Sequence, residues 1–424
     1  MNHTVSPARI RLALLALALG GFGIGLTEFV AMGLLPNLAA DLLPQVWAAS
    51  QEKANAQAGW LVSAYALGVV VGAPTIAALA ARFPRKQLLL ACVGVFVLGT
   101  VASAVLPTFG LILVARFVAA LPHGAYFGIA ALVAASLMGP GKRGRGVAFV
   151  LSGLTIANVV GVPVATFIGQ HAGWRVAYLV VAAVFALAFV AILVVVPLQA
   201  GDPQATMRRE LTAFTRPQIW LTLLVGSLGF GGFFAVYTFI SPIATVVTGM
   251  DVKLVPLVLV GVGIGMTVGN LAGGRAADHH VLGTLFVCFG IFALALVGFA
   301  LTAQNVVGLF FFSALVGAAA SALSPAIQTR LMDVAGDSQS IAAAINHSAL
   351  NLGNSLGAYL GGVTIAAGLG YLSPAWVGLL LCVPGVGLAL ASALLQRRTT
   401  RRARLEGPEG VRLDEDPVLD GTLS

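Results

Sequence analysis

One acidic residue, Glu28, lies deep within an apolar stretch, whereas the other acidic residues fall between such stretches or at their ends. A charged carboxylate in hydrocarbon costs several kcal/mol, so Glu28 must be protonated, paired or in contact with water. A carboxyl that alternates between dry and wet surroundings binds and releases protons, which is the chemistry of proton coupling. The alternative is a static partner for a donor on another helix, and the sequence leaves both interpretations open.

Two more ionisable residues share another apolar stretch. Arg116 opens this stretch, and its guanidinium needs a partner or a wet cavity because it cannot lose its proton. Near the end of a helix it could instead extend outward to the membrane interface. His123 lies two helical turns further on, beside the helix-bending Pro122, and is either a titrating group or a packing residue.

Small residues and amides recur at helical spacing in two stretches. The first contains Gly153, Ala157, Asn158, Gly161 and Pro163, and small residues four apart indicate close helix packing. The amides Asn158 and Asn354 either bond across a helix interface or line a cavity.

Aromatic residues are concentrated in one later stretch, which contains Phe230, Phe233, Phe234 and Tyr237. They are either a stacking surface for an amphipathic solute or aromatics that face lipid or pack against other helices.

The composition identifies the elements that position these residues. Of 424 residues, 59% are hydrophobic and 9% are charged, against about 25% charged in an average soluble domain. This excludes a soluble enzyme, and the 51 glycines suit membrane helices, where small residues let backbones approach closely. We predict an all-α polytopic membrane protein with twelve spans, at about 11–35, 57–81, 87–106, 109–138, 144–169, 175–197, 218–241, 254–276, 282–301, 304–331, 340–367 and 373–396.

The basic residues predict the orientation. The predicted outer segments hold only Lys53, Arg175 and Lys253, while the other basic residues except Arg116 fall on the inner segments. The positive-inside rule therefore places both termini in the cytoplasm. This distribution also accounts for the net charge of +8 without a nucleic-acid partner.

The chain reads as two similar halves. We predict a six-helix bundle over 1–197, a cytoplasmic linker over 198–217, a second six-helix bundle over 218–396 and a disordered tail over 397–424. Two motifs occur in both halves, separated by nearly the same number of residues. Ala157-Asn158 and Gly161 match Gly353-Asn354 and Gly357, and the pair Gly68 and Gly72 matches the pair Gly265 and Gly269. Parallel halves of this kind place a substrate site near the membrane midplane between them.

Two predicted inner loops carry charges at equivalent places in the halves. The loop after span 2 holds Arg82, Arg85 and Lys86, and the loop after span 8 holds Asp278. The positive-inside topology alone would explain such charges. Because the two loops occupy equivalent positions in the halves, the alternative is that their charged residues form a gating latch. The sequence contains no nucleotide-binding loop, metal motif or paired cysteines, so we expect no cofactor and no metal.

Taken in order, these motifs, with Gly173-Trp174-Arg175, resemble the major facilitator superfamily, and within it the twelve-span drug:proton antiporters of the arabinose-efflux-permease-like branch. The resemblance covers about residues 10–396 and implies the two-bundle fold. It implies a proton-coupling role for Arg116, a gating loop ending at Lys86, and an antiporter motif over Gly153–Val162. The chain departs from the family where Ala81 replaces an Asp, Pro84 a Gly, and Ala157-Asn158 a Gly-Pro pair.

We therefore predict a transporter, not an enzyme, that exports a small organic solute in exchange for protons. Glu28 and Arg116 would couple the proton, and the cavity would be lined by Thr27, Phe29, His123, Tyr126, Asn158, Phe234, Tyr237 and Asn354. The alternative is a proton-independent facilitator or importer. A membrane-embedded enzyme would need a convergent reactive cluster, which the sequence lacks. The expected partners are the solute, protons and the lipid bilayer, and the chain is expected to act as a monomer in the cell membrane.

Overall fold

The computed structural model describes residues 6–80, 83–139, 142–199, 215–335 and 339–405, and these contain helices and no strand. Within them, ten helices are long and apolar enough to cross a membrane, judged by length and composition. One of the ten, Val252–Thr302, covers two predicted spans, so the ten helices account for eleven spans. The Gln339–Ala366 helix is not among the ten and accounts for the remaining span. The predicted twelve-span, two-bundle fold is confirmed.

The first bundle comprises spans 1–6. Span 4 consists of two helices, and span 5 contains a π-helical turn at Ala157–Gly161. The bounds are Pro7–Gly33 for span 1, Trp60–Ala80 for span 2, Arg85–Val105 for span 3, Phe109–Ala120 and His123–Met138 for span 4, Arg143–Ile156 and Val162–Ala172 for span 5, and Trp174–Val195 for span 6.

The second bundle comprises spans 7–12. The bounds are Pro217–Tyr237 for span 7, Val255–Thr302 for spans 8 and 9 together, Val306–Ala335 for span 10, Gln339–Ala366 for span 11 and Ser373–Leu405 for span 12. Three short pieces, Ile240–Pro242, Ile243–Val247 and Val252–Leu254, join spans 7 and 8.

The structure differs from the predicted boundaries in two places. Spans 8 and 9 meet directly at a kink rather than through a loop, at His280, whose φ and ψ of −157° and 89° are not helical. The last helix continues to Leu405, so the first part of the segment predicted as a disordered tail is helical. Most of the predicted linker, the rest of the tail and Arg82 lie outside the described residues.

The break in span 4 has a local cause. Proline has no N–H to donate to the carbonyl one turn earlier, so the helix stops before Pro122. The Leu121 N–H instead donates to the Val118 carbonyl at 3.3 Å, and a new helix begins at His123. The break redirects the second half of span 4, which carries His123 towards the second bundle.

Glycine pairs set the closest helix contacts in both bundles. A Cβ at Gly68 or Gly72 would collide with the Phe117 or Leu121 carbonyl of span 4. In the second bundle, a Cβ at Gly265 or Gly269 would collide likewise with carbonyls of span 10. The repeated motif therefore makes the same contact in each half, between spans 2 and 4 and between spans 8 and 10.

Gly269→Ala is expected to destabilise the protein. The new methyl group would meet the backbone carbonyl of Ala318, which has no rotamer with which to move away. Overpacking typically costs about 1–3 kcal/mol. Thermal unfolding of the purified protein should show a lower melting temperature than for Gly290→Ala, a position with no heavy atom within 4 Å of the added Cβ. Equal melting temperatures would contradict this account of the packing.

Three short helices between spans 1 and 2 form a cap on one face of the molecule: Leu35–Leu42, Pro44–Ala49 and Gln51–Ala58. We call this the outer face, after the predicted orientation. Asp41 of the cap forms an ion pair with Arg175 and accepts a hydrogen bond from the Trp174 indole at 3.1 Å. The Asn55 amide donates to the Tyr371 hydroxyl at 2.8 Å, and burial raises the pKa of Tyr371, which keeps that hydroxyl neutral. The cap is thus attached to both bundles.

Candidate functional site

Span 11 makes several buried polar contacts with spans of the first bundle. Its Asn354 amide donates to Glu28 Oε1 of span 1 at 3.4 Å. Its Ser355 carbonyl accepts from the Ser63 hydroxyl of span 2 at 3.2 Å, and its His347 ring lies 5.6 Å from the His123 ring of span 4. Span 11 therefore carries a polar face against the first bundle, in two layers defined by Glu28 and by His123.

Glu28 is buried, with 6% of its surface exposed, and lies at the interface of the bundles. Its hydrogen bond from Asn354 is long and therefore weak. Glu28 forms no ion pair with a described residue, so it has no cation within 4.0 Å in that part of the chain. The Asn354 amide is a donor on another helix, so this geometry fits the static interpretation as well as the proton-binding one.

Arg116 is fully inside the protein, with 1% of its surface exposed, so it does not extend to the membrane interface. Its Nη1 donates to the Thr27 carbonyl at 2.6 Å, and its Nε donates to the Leu61 carbonyl at 3.4 Å. The guanidinium also lies 4.6 Å from the Tyr65 ring centroid and 5.7 Å from that of Tyr178. These contacts fix a permanent positive charge beside the residue that precedes Glu28.

One donor of Arg116, Nη2, is buried and has no hydrogen-bond partner among the described residues. An unsatisfied guanidinium donor in a dry site costs free energy. A water molecule, a solute acceptor or a shifted Glu28 carboxylate would satisfy it. Arg116 is therefore placed to stabilise a negative charge near Glu28.

The second layer was only partly predicted. The Tyr65 hydroxyl and His123 Nδ1 are 3.2 Å apart, and the Phe127 ring stacks on that of His347 at 5.3 Å with an interplanar angle of 1°. The sequence singled out His123 but missed His347. The available signal was the polar run Asn346-His347-Ser348, which is unusual inside a membrane span.

The aromatic residues of span 7 face inward, so the lipid-facing interpretation is wrong for them. Phe234 and Tyr237 are 3% and 2% exposed. Phe29 of span 1 stacks on Phe234 with ring centroids 6.1 Å apart and meets Tyr237 edge-on at 5.9 Å. These three rings join the bundles next to Glu28, and they give the site an apolar wall.

Three of the predicted cavity residues have other contacts. The Tyr126 hydroxyl donates to the Leu17 carbonyl at 2.7 Å, so it is satisfied within the first bundle. The Asn158 backbone contacts span 8, where a Cβ at Gly263 would lie 2.5 Å from the Asn158 carbonyl oxygen, and Asn158 Oδ1 is buried without a described partner. Thr27 contributes its carbonyl and, more weakly, its hydroxyl to Arg116.

Residues of the antiporter-like motif pack span 5 against span 1. A Cβ at Gly153 would collide with the Ala18 carbonyl, and one at Gly161 would lie 2.7 Å from the Leu26 and Phe22 side chains. The Ala157 methyl group itself lies 2.6 Å from the place of a Cβ at Gly25. Pro163 begins the helix that follows the π-helical turn.

The predicted gating residues do not meet as a latch in the described part of the chain. The Arg85 N–H donates to the Gln199 carbonyl at 3.1 Å, and Lys86 Nζ donates to the Leu193 carbonyl at 2.7 Å. The Lys86 bond stays within the first bundle, and the Arg85 bond reaches the start of the predicted linker. Asp278 is exposed and forms no ion pair with a described residue.

A multi-pass helical fold with two bundles around buried polar and aromatic side chains defines a membrane transporter of small solutes. The sequence matches the Major Facilitator Superfamily profile over residues 17–279 and 246–419. It is 37% identical over 390 residues to the inner membrane transport protein YdhP of Escherichia coli (strain K12), covering 92% of this chain and 97% of that protein.

A second relative is the chloramphenicol resistance protein of Streptomyces lividans, 32% identical over 377 residues, or 88% of this chain and 94% of that protein. Among solved structures, the D-xylose-proton symporter has the same fold, with a TM-score of 0.71 at 17% identity, covering 90% of this chain and 97% of that one. The chain belongs to the major facilitator superfamily.

Proposed function

We propose that this protein is a proton-coupled secondary transporter that exports a small organic solute across the cytoplasmic membrane by alternating access. The observation that carries the proposal is the position of Glu28. Its carboxyl is buried at the interface of the bundles, is held by one weak hydrogen bond from span 11, and lies beside the anchored cation Arg116.

Alternating access gives this carboxyl two environments. While the bundles are closed around it, the neutral form is favoured, because the cost of a charged carboxylate in a dry site exceeds the attraction of Arg116, which lies beyond 4.0 Å. When span 11 moves away, water reaches Glu28, and water and Arg116 together stabilise the ionised form. The same movement that exposes the solute site therefore changes the affinity of Glu28 for a proton.

The wall of the site suits an amphipathic solute. Phe29, Phe234 and Tyr237 supply flat apolar surface, while Asn354 and Arg116 supply polar groups within the same interface. Sugars or amphipathic antibiotics of the chloramphenicol type fit this combination. The name of the Streptomyces lividans relative refers to resistance to chloramphenicol, which favours export as the direction.

The solute is to be found first by ligand-induced stabilisation of the purified protein. A ligand that binds the native state stabilises it by mass action, by about 2.7 kcal/mol at 100 times its dissociation constant, and so raises the melting temperature. A panel of sugars, nucleosides, amino acids and amphipathic antibiotics should contain one class that raises the melting temperature progressively as its concentration increases.

Proton coupling is tested by the side of the membrane on which the solute accumulates in proteoliposomes under an imposed pH gradient. An antiporter moves protons out of the acidic compartment and solute into it, so the solute should accumulate on the acidic side. An uncoupler should abolish the accumulation, and protein-free liposomes measure passive partitioning. Accumulation on the alkaline side would indicate symport, and equilibration without accumulation would indicate a facilitator; either result would overturn the proposal.

A further inference from the structure

Two histidines face each other across the interface of the bundles, below the layer of Glu28. His123 begins the second helix of span 4 and His347 lies on span 11, and their ring centroids are 5.6 Å apart at an angle of 59°. His123 is 2% exposed and shares a hydrogen bond with the Tyr65 hydroxyl. Phe127 lies against both imidazoles, at 5.4 and 5.3 Å.

This pair is separate from the Glu28 layer. His347 and Asn354 are seven residues apart on one helix, which corresponds to about 10 Å along its axis. Arg116 and His123 are likewise seven residues apart on span 4. Tyr65 connects the layers, because its ring lies against the Arg116 guanidinium and its hydroxyl contacts His123.

We propose that His123 and His347 form a second proton-binding site, and that a proton bound there weakens the contact between spans 4 and 11 and favours separation of the bundles. The inference rests on the proposed function only in requiring that the bundles separate. It does not require Glu28 to carry the transported proton.

The physical reason is the cost of a cation in this contact. An imidazole that binds a proton loses its acceptor nitrogen and becomes a charged double donor. A charge on His123, which is 2% exposed, would face a second imidazole and the Phe127 ring with little water to solvate it, whereas His347 is only half-buried. Separating spans 4 and 11 would admit water and relieve this cost, so protonation and separation favour each other.

The groups around the pair also make a proton on His123 costly while spans 4 and 11 are in contact. Arg116 is permanently charged and lies behind the Tyr65 ring, so it opposes a second positive charge on His123. Glu28 is in the other layer, where its carboxyl contacts Asn354. The buried titratable and charged groups described on the helices around the pair are Glu28 on span 1, Tyr65 on span 2, Cys92 on span 3, Arg116 and Tyr126 on span 4, Tyr178 on span 6, Tyr237 on span 7, Arg330 on span 10 and Cys382 on span 12.

The test measures bundle separation directly, by pulsed electron–electron double resonance between spin labels on the inner face, the side of the Glu28 layer on which the histidines lie. Val194 at the inner end of span 6 and Leu394 at the inner end of span 12 are 65% and 57% exposed and lie one in each bundle. Both are replaced by Cys and labelled, and the buried Cys92, Cys288 and Cys382 are replaced by Ala. All measurements use a Glu28→Gln background, which removes the titration of that carboxyl.

When the pH falls from about 7.5 to about 5.5, the range in which histidine changes charge, a longer-distance population should grow. His347→Gln and His123→Gln should each remove this shift, while His171→Gln, at the end of span 5, should retain it. Both histidine variants are measured so that the test still holds if one of them fails to fold. Thermal unfolding shows whether each variant is folded. Retention of the shift in a folded variant of either histidine, or its absence from the parent, would overturn the inference.

The outcome is distinguishable from failure of the proposed function. Glu28→Gln tests proton-coupled flux in liposomes, whereas the distance measurement already contains that substitution. Coupled flux that survives Glu28→Gln would remove Glu28 from the mechanism without affecting the histidine result. A missing pH response in the distances would remove the histidine pair while leaving the role of Glu28 intact.

Discussion

Glu28→Gln is expected to reduce pH-gradient-driven solute accumulation in proteoliposomes to the level of protein-free liposomes. The substitution keeps the side-chain size and the carbonyl acceptor for Asn354, so the fold and solute binding should persist. It removes the group that binds and releases the proton, and an amide does not ionise. Flux assays under an imposed gradient, combined with thermal unfolding in the presence of solute, separate loss of coupling from loss of structure.

The matched control is Glu52→Gln, the same chemical change on the outer cap. Glu52 lies in the Gln51–Ala58 helix, away from the interface that holds Glu28, and its substitution should leave accumulation unchanged. If Glu28→Gln accumulates solute as well as this control does, Glu28 does not couple the proton.

Arg116→Lys is expected to lower both the stability and the transport rate, although it preserves the charge. Lysine is a flexible point charge and cannot reproduce the planar fork that reaches the Thr27 and Leu61 carbonyls together while lying between the Tyr65 and Tyr178 rings. A hydrogen bond to a charged group contributes about 1.5–3 kcal/mol, so we expect a loss of about 2–4 kcal/mol.

Thermal unfolding and gradient-driven flux check this expectation, with Arg175→Lys as the control. Arg175 forms its ion pair with Asp41 at a partly exposed position on the outer face, where such pairs contribute about 0–1 kcal/mol. Equal melting temperatures for the two variants would mean that the buried contacts of Arg116 carry little energy.

The fold was predictable because the membrane imposes simple rules on sequence. Long apolar stretches, basic inner loops and a repeated motif were sufficient to predict twelve spans in two bundles. The sequence predicted a loop at His279 and His280, and only the backbone shows that the two helices meet directly there, at a kink at His280. The π-helical turn in span 5 also has no sequence signal of its own beyond the small residues and Pro163.

The site was predictable where a charge interrupts an apolar stretch. Glu28 and Arg116 stand out for that reason, and Asn354 stands out as the repeat of Asn158. Their partners were harder to predict, because a contact such as Asn354 with Glu28 joins residues 326 positions apart. His347 was missed because neutral polar residues in a membrane helix do not indicate by themselves which face they occupy.

The polar face of span 11 has a consequence for biogenesis. The residues Asn346, His347, Asn351 and Asn354 make this helix less suited to hydrocarbon than the ten apolar helices of the described chain. A translocon releases a segment into lipid according to its apolar character, so span 11 should enter the membrane poorly when synthesised alone. Gly353 and Gly357 fit closely against the backbone of span 7, which is made earlier and supplies a surface on which span 11 can be retained. Association of span 11 with span 7 should therefore precede its stable insertion into the membrane.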